Sequence, residues 1–336
     1  MTRAFICGCA DLTLSPDELL FVRMSAPWGL ILFKRNIGDR AQVAALTASF
    51  RDAVGRADAP VLIDQEGGRV QRMGPPHWRA YPAAAAFERA HGLSADARLA
   101  LAQTAARLIA HDLHAVGVSV DCLPVLDVPA LGGHPIIGDR AYGADPAMVA
   151  RYGAAVCRGL LEGGVLPVIK HIPGHGRAGA DSHVELPIVD ADRASLSLDF
   201  APFRALNQMP LAMTAHVVYR ALDPDHPATT SQRVVRDIIR GEIGFTGCLM
   251  SDDLSMQALS GSLGERAAAC FAAGVDIALH CNGVLDEARA VADASPVLGG
   301  EALARAKAAL AQLRPPRDFD PVEAAAALHQ ALAVGV

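Results

Sequence analysis

Eight short apolar runs recur along the chain, and segments of helical periodicity separate most of them. The runs are RAFICGCA (3–10), GLILFK (29–34), PVLIDQE (60–66), VSVDCLPVLDV (118–128), LPVIKHIPG (166–174), LAMTAHVVY (211–219), GCLMSDDLS (247–255) and DIALHCN (276–282). Strands that alternate with helices predict a parallel sheet buried on both faces. A first helix is predicted from SPDELLFVRMSA, with Ser15 as N-cap and Pro16 at the first helical position. Further helices are predicted up to about Val54, from about Ala95 to Val116, and over about 146–163, 231–241, 264–273 and 284–312. Eight strand units in 336 residues predict an α/β fold, a single-domain (β/α)8 barrel of the TIM type over residues 1–336. The tail, 315–336, is predicted to be a short helix packed on the outside. A doubly wound sheet is the alternative. No GxGxxG follows the first strand and no Walker loop occurs, which disfavours nucleotide binding.

The placement of the polar residues carries the functional reading. Asp64 closes the third run, Asp127 the fourth, Lys170 and His171 the fifth, Asp252 and Asp253 the seventh, and His280 the eighth, while His216 lies on the sixth. In a barrel these positions converge on the C-terminal rim, where barrel enzymes do their chemistry. The segment KHIPGHGRAGADSHVELP (170–187) adds His175, Asp181 and His183 among three glycines.

Composition narrows the classes. The net charge of -6 and pI near 6.0 argue against a nucleic-acid binder, which carries a basic field. The N-terminal apolar run is too short for a signal segment or a membrane span. Seven irregularly spaced cysteines without a CxxC pair are expected to be reduced and buried, as in a cytoplasmic protein. Only 5% of residues are aromatic, which suits a small ligand held by hydrogen bonds better than a long polysaccharide.

Three readings of the polar rim are open on the residues alone. A metal centre could recruit His171, His175, Asp181 and His183, but the loop from Gly174 to Ala180 is a loose platform for ligands. A glycosidase needs a carboxylate nucleophile on a strand, available as Asp252 or Asp253, and a proton donor. In ADSH, Asp181 can orient the His183 imidazole and raise its pKa, and Gly174, Gly176 and Gly179 would let the donor swing over a sugar. A binding module without catalysis would explain the polar rim, though not the pairing of a nucleophile with an acid/base.

The motifs GLILFKRN (29–36), LIDQEGGRVQR (62–72), LPVLDV (123–128), GDRAYGADP (138–146), IKHIPGHGRAGADSH (169–183), MTAHVVY (213–219) and MSDDLSM (250–256) appear in this order. Together they resemble the single-domain, cytoplasmic bacterial β-N-acetylglucosaminidases of glycoside hydrolase family 3. The resemblance implies that Asp252 is the nucleophile, His183 the acid/base and Asp181 its partner. It implies that Asp64, Arg72, Arg140, Lys170 and His171 hold the N-acetylglucosamine (GlcNAc). It also implies retaining release of GlcNAc from peptidoglycan fragments (GlcNAc-1,6-anhydro-N-acetylmuramic acid with or without peptide) in cell-wall recycling. No cofactor, metal, nucleic acid or membrane is implied, and the protein is expected to be a monomer. A phosphorylase is the alternative, since a histidine acid/base would not repel phosphate.

Other polar residues carry structural expectations. Asp127 is expected to be a hydrogen-bonding residue, His175 to shape its loop, and Asp145 to cap a helix before Pro146. Glu66 is expected in a turn with Gly67 and Gly68. His216 is expected to line the pocket. Ile172, where Phe is common in the family, and Tyr142 are small departures from its pattern.

Overall fold

The computed structural model describes residues 1–130, 135–182 and 184–334. Among the described residues twelve strands occur in chain order: β1 (Arg3–Cys7), β2 (Pro27–Leu32), β3 (Val61–Ile63), β4 (Gln65–Gly67), β5 (Val70–Gln71), β6 (Val120–Asp121), β7 (Leu166–Ile172), β8 (Ile188–Val189), β9 (Leu211–Thr214), β10 (Val218–Tyr219), β11 (Cys248–Asp253) and β12 (Ile277–His280). The α-helices are α1 (Pro16–Ser25), α2 (Arg40–Val54), α3 (Ala84–Arg89), α4 (Ala95–His114), α5 (Pro146–Glu162), α6 (Arg193–Ala205), α7 (Leu263–Ala273), α8 (Leu285–Ala294), α9 (Gly300–Leu310) and α10 (Pro321–Val334), with a π-helical segment over Val234–Glu242.

Local chemistry sets the boundaries as the sequence predicts. Ser15 accepts from the Glu18 N–H and the Glu18 carboxylate accepts from the Ser15 N–H, a capping box that starts α1 with Pro16 in its first turn. Asp39 caps α2, and Asp145 accepts from the Ala147 N–H at the start of α5.

The strands close in the order β1-β12-β11-β9-β7-β6-β3-β2, and every adjacent pair is parallel. The predicted (β/α)8 barrel is therefore the fold, and α10 packs against α4. Alternation along each strand splits the core in two. Leu62, Val168, Met213, Met250 and Leu279 fill the barrel interior, while Ile63, Ile169, Ala212, Leu249 and Ala278 face the helices. Two residues beyond Leu62, Val168 and Met250, the same parity carries Asp64, Lys170 and Asp252 to the interior at the C-terminal rim.

Three elements depart from the expectation. The third run breaks at Asp64 into β3 and a hairpin of β4 and β5, turned by Gly67 (φ 91) and Gly68 (φ 58), because a side chain at either glycine would collide with Pro82 or Ala83. Of 118–128 only Val120–Asp121 form a regular strand, β6, and past Pro124 the chain stays beside β7 through an isolated Val125–Lys170 bridge. Helix α6 is not among the predicted helices, although Leu196, Phe200 and Phe203 bury one face of it, and Pro202 stands inside it.

Candidate active site

A cavity of about 260 Å³ opens at the C-terminal rim. Drug-sized ligands occupy roughly 300–1,000 Å³, so this cavity suits one sugar ring better than a chain of them. Its wall includes Asp64, Arg72, Arg140, Lys170, His171 and Asp252, which come from five separate stretches of the chain. It also includes Glu66, His175, Ser182 and Asp253, with Ile31, Phe33, Met213, Leu279 and Cys281 as apolar wall.

Lys170 is the hub. Its Nζ lies 2.7 Å from Asp64 Oδ1 and 2.7 Å from Glu66 Oε1. Burial would lower the ammonium pKa, but the two carboxylates more than reverse this and raise it. Arg140 makes a two-pronged pair with Glu66, Nε to Oε2 at 2.8 Å and Nη2 to Oε1 at 2.8 Å. Arg72 reaches Asp64 Oδ2 at 3.2 Å and lies over the Phe33 ring at 5.1 Å. Burial alone would raise both carboxyls. Lys170 with Arg72 instead holds Asp64 well below its ordinary range, and Lys170 with Arg140 holds Glu66 at about 2. The site thus presents fixed, ionised donors and acceptors suited to sugar hydroxyls and amides.

Asp127 organises the opposite wall. Its Oδ2 accepts from His171 Nδ1 at 2.7 Å, and its Oδ1 accepts from the backbone N–H groups of His171 and His175 at 3.2 and 2.6 Å. Burial would raise the carboxyl, but His171 and His175 hold it at about 2, so it is an acceptor only. That fixes the proton of His171 on Nδ1. The structural role expected of Asp127 holds. His175 does more than shape its loop. It is buried, lines the cavity, and has Nε2 3.3 Å from Ser182 Oγ. Burial lowers its pKa to about 4, with His171 adding to the effect.

Asp252 is the penultimate residue of β11 and faces the barrel interior. Its Oδ1 accepts from the Asp253 N–H at 2.8 Å. Burial would raise its pKa, yet His171, His216, the Asp253 N–H and Lys170 together lower it. The Asp253 side chain turns back into the backbone. Its Oδ1 accepts from Ser255 N and Cys281 N, and its Oδ2 from Ser255 Oγ.

The loop that follows β7 is held more firmly than its glycines suggest. A side chain on Gly176 would run into the Val128 carbonyl, and one on Gly174 (φ 134) would press on Asp199. Only Gly179 has open space around it. Arg177 Nε donates to Asp199 Oδ2 at 2.6 Å, and Ala258 N donates to the Ser182 carbonyl. Asp181 is half-buried, and its carbonyl accepts from Val184 N and Glu185 N. His183, the expected acid/base, lies outside the described residues.

Two sequence expectations need correction. Glu66 does precede the Gly67–Gly68 turn, but its side chain enters the cavity. It lies two residues from Asp64, and that i,i+2 spacing was the available signal. His216 does not line the cavity. It sits just beyond β9, fully buried, with Nδ1 2.7 Å from Thr229 Oγ1 and Nε2 3.0 Å from the Asp253 carbonyl. His280 is likewise in the core, 3.1 Å from Glu287 Oε2. Among the described residues no group of three His, Cys, Asp or Glu side chains could hold a metal ion, and no helix is long and apolar enough to cross a membrane. All seven cysteines are buried and unpaired.

Residues 25–309 match the glycosyl hydrolase family 3 N-terminal domain. The chain is 40% identical over 276 residues to a beta-hexosaminidase of Bordetella avium, which covers 80% of this chain and 77% of that protein. In structure it is similar to NagZ from Neisseria gonorrhoeae in complex with N-trifluoroacetyl-D-glucosamine. The TM-score is 0.85 at 31% identity, covering 99% of this chain and 97% of the other. It is also similar to a family 3 beta-N-acetylglucosaminidase from Paenibacillus sp., with TM-score 0.79 and 32% identity over 99% of this chain, which spans 62% of that longer protein. The chain belongs to glycoside hydrolase family 3.

Proposed function

We propose that the protein is a retaining exo-β-N-acetylhexosaminidase that releases terminal β-linked GlcNAc from peptidoglycan fragments, GlcNAc-1,6-anhydro-N-acetylmuramic acid with or without peptide. It acts as a monomer in the cytoplasm, in cell-wall recycling, without cofactor or metal. One observation carries the reading. The half-buried, ionised Asp252 faces a cavity the size of one sugar, whose other walls are the fixed donors and acceptors of Asp64, Arg72, Arg140, Lys170 and His171. The names of the relatives add the hexosamine.

In this reading Asp252 attacks the anomeric carbon as the bond to the leaving oxygen breaks, and His183, oriented by Asp181, protonates that oxygen. Water then gives a proton to the same histidine and attacks the glycosyl-aspartate, releasing GlcNAc with its configuration retained. Lys170, Asp64 and Arg140 hold the ring throughout, and their mutual ion pairs supply the rigidity that positioning needs.

The test is trapping with a 2-fluoro glycosyl donor followed by peptide mapping, run beside an assay of GlcNAc release from an aryl β-GlcNAc substrate. A label on Asp252 and release of free GlcNAc are expected. A label on Asp253 or Glu66 overturns the assignment. Release of GlcNAc 1-phosphate that depends on added phosphate makes the enzyme a phosphorylase, and loss of activity to a chelator makes it a metal-dependent hydrolase.

A further inference from the structure

Behind Asp252 runs a buried chain of polar groups that the proposed chemistry does not use. Thr214 Oγ1 lies 2.7 Å from Thr229 Oγ1, which lies 2.7 Å from His216 Nδ1, and His216 Nε2 lies 3.0 Å from the Asp253 carbonyl oxygen. Thr214, His216 and Thr229 are all fully buried. A carbonyl only accepts, so His216 Nε2 carries the proton. Burial lowers the pKa of this imidazole, so the ring is neutral at neutral pH and Nδ1 is a bare acceptor. The Thr229 hydroxyl also lies 3.2 Å from the Ala215 carbonyl, but its one proton goes to the closer bare acceptor, Nδ1 at 2.7 Å, and Thr214 then donates to Thr229. Every proton in the chain has one direction, and the chain ends on Asp253.

Asp253 is the residue whose N–H holds Asp252 Oδ1, the one hydrogen bond on that carboxylate among the described residues. Its side chain is tied to Ser255 and Cys281, and its carbonyl to His216. The Asp253 N–H lies in the peptide before the residue and its carbonyl in the peptide after it, so these bonds restrain both flanking peptides and with them the backbone torsions of Asp253. The β11–β12 register shifts between Met250 and Asp253, and beyond the shift the strand holds this point through the Asp253–Leu279 pairing and the Leu254 N–H donating to the Leu279 carbonyl, so His216 adds to that support from the other side. We propose that His216, with its tautomer set by Thr229 and Thr214, is a positioning residue that locks Asp253 and through it aims the carboxylate of Asp252 at the sugar. The inference rests on Asp252 being the nucleophile.

The groups that face the Asp252 carboxylate are His171, His216, Lys170 and the Asp253 N–H. Losing the lock weakens the last of these. The experiment compares His216→Phe, His216→Gln and Thr229→Val by burst kinetics on a nitrophenyl β-GlcNAc substrate, by inhibition with free GlcNAc, and by the acid limb of kcat/KM. Gln places an amide N–H near the position of Nε2 and should restore the donor.

His216→Phe should slow glycosylation by about 10²-fold, the cost of a small misplacement of a reacting group. The GlcNAc inhibition constant should stay within about threefold, and the acid limb should move up as Asp252 loses its held N–H donor. His216→Gln should recover most of the rate, and Thr229→Val should fall between. An unmoved acid limb, or equal losses in the Phe and Gln variants, would overturn the lock. If the Phe variant does not fold, the acid limb of Thr229→Val decides in the same sense. A 2-fluoro label away from Asp252 overturns the nucleophile and this inference together, whereas a label on Asp252 with an unmoved acid limb overturns the inference alone.

Discussion

Lys170 and Glu66 meet at 2.7 Å, and Glu66 in turn grips Arg140 with both oxygens. The same ammonium is shared with Asp64. Removing one charge from such a set leaves its partners buried without compensation. Glu66→Gln keeps the shape and loses the charge. It should lower kcat/KM by about 10- to 100-fold, the scale of a ~1.5–3 kcal/mol hydrogen bond to a charged group. Most of the effect should appear in KM, since the loss is in holding the ring. Steady-state kinetics with free GlcNAc as competitor checks this. A change in kcat alone would place Glu66 in the chemistry instead.

The adjacent aspartates should separate cleanly. Asp252→Asn should leave a folded protein with glycosyl transfer reduced by about 10⁴-fold, as for loss of a group that acts only in the transition state. Asp253→Asn keeps an oxygen for the Cys281 and Ser255 N–H groups and should be milder. Circular dichroism alongside single-turnover rates distinguishes a chemical defect from an unfolded one.

His183→Ala should discriminate by leaving group. A sugar alkoxide needs a proton in the transition state and a nitrophenolate does not. Cleavage of a disaccharide should fall by about 10²- to 10⁴-fold, the usual yield of general acid catalysis. Glycosylation by a nitrophenyl substrate should fall much less, followed by slow deglycosylation and a burst of nitrophenolate. Asp181→Ala should follow the same pattern more weakly. Equal loss of glycosylation on both substrates would make His183 a binding residue, and no loss on either would hand the role to another group, His175 being the first to test.

His175 predicts an acid-side loss of stability. Its folded pKa is lowered to about 4, with burial the main cause, so between its ordinary value near 6.5 and 4 the unfolded chain binds more protons than the folded one. Its contribution is complete above 6.5 and is lost as pH falls through that window. Asp199, raised to about 6 chiefly by burial, works in the opposite sense below that pH. In thermal melts from pH 7.5 to 4.5, His175→Leu should lose less Tm on acidification than the parent. Parallel curves would mean that His175 is not held neutral.

The eight runs and their helices were legible because periodicity is local. A period of two marks a strand, a period near 3.6 a helix, and the side chain at each strand end inherits its direction from the residues before it. This is why Asp64, Lys170 and Asp252 could be placed on one rim. The hairpin after Asp64 and the two-residue β6 were not legible, because glycine contacts and strand pairing depend on what lies nearby in space.

The same limit governs the site. Arg140 and Glu66 are 74 residues apart, His216 and Asp253 are 37 apart, and no spacing rule joins them. Polar residue types at strand ends were determined by the sequence alone, and with them the rim and its candidate nucleophile. Tertiary structure decided which carboxylate holds which cation, that Glu66 enters the cavity, and that His216 stands behind the nucleophile rather than beside the sugar. The physical reason is that ion pairs and buried hydrogen bonds act over a few ångströms, so they depend on how distant segments are packed together and not on their order along the chain.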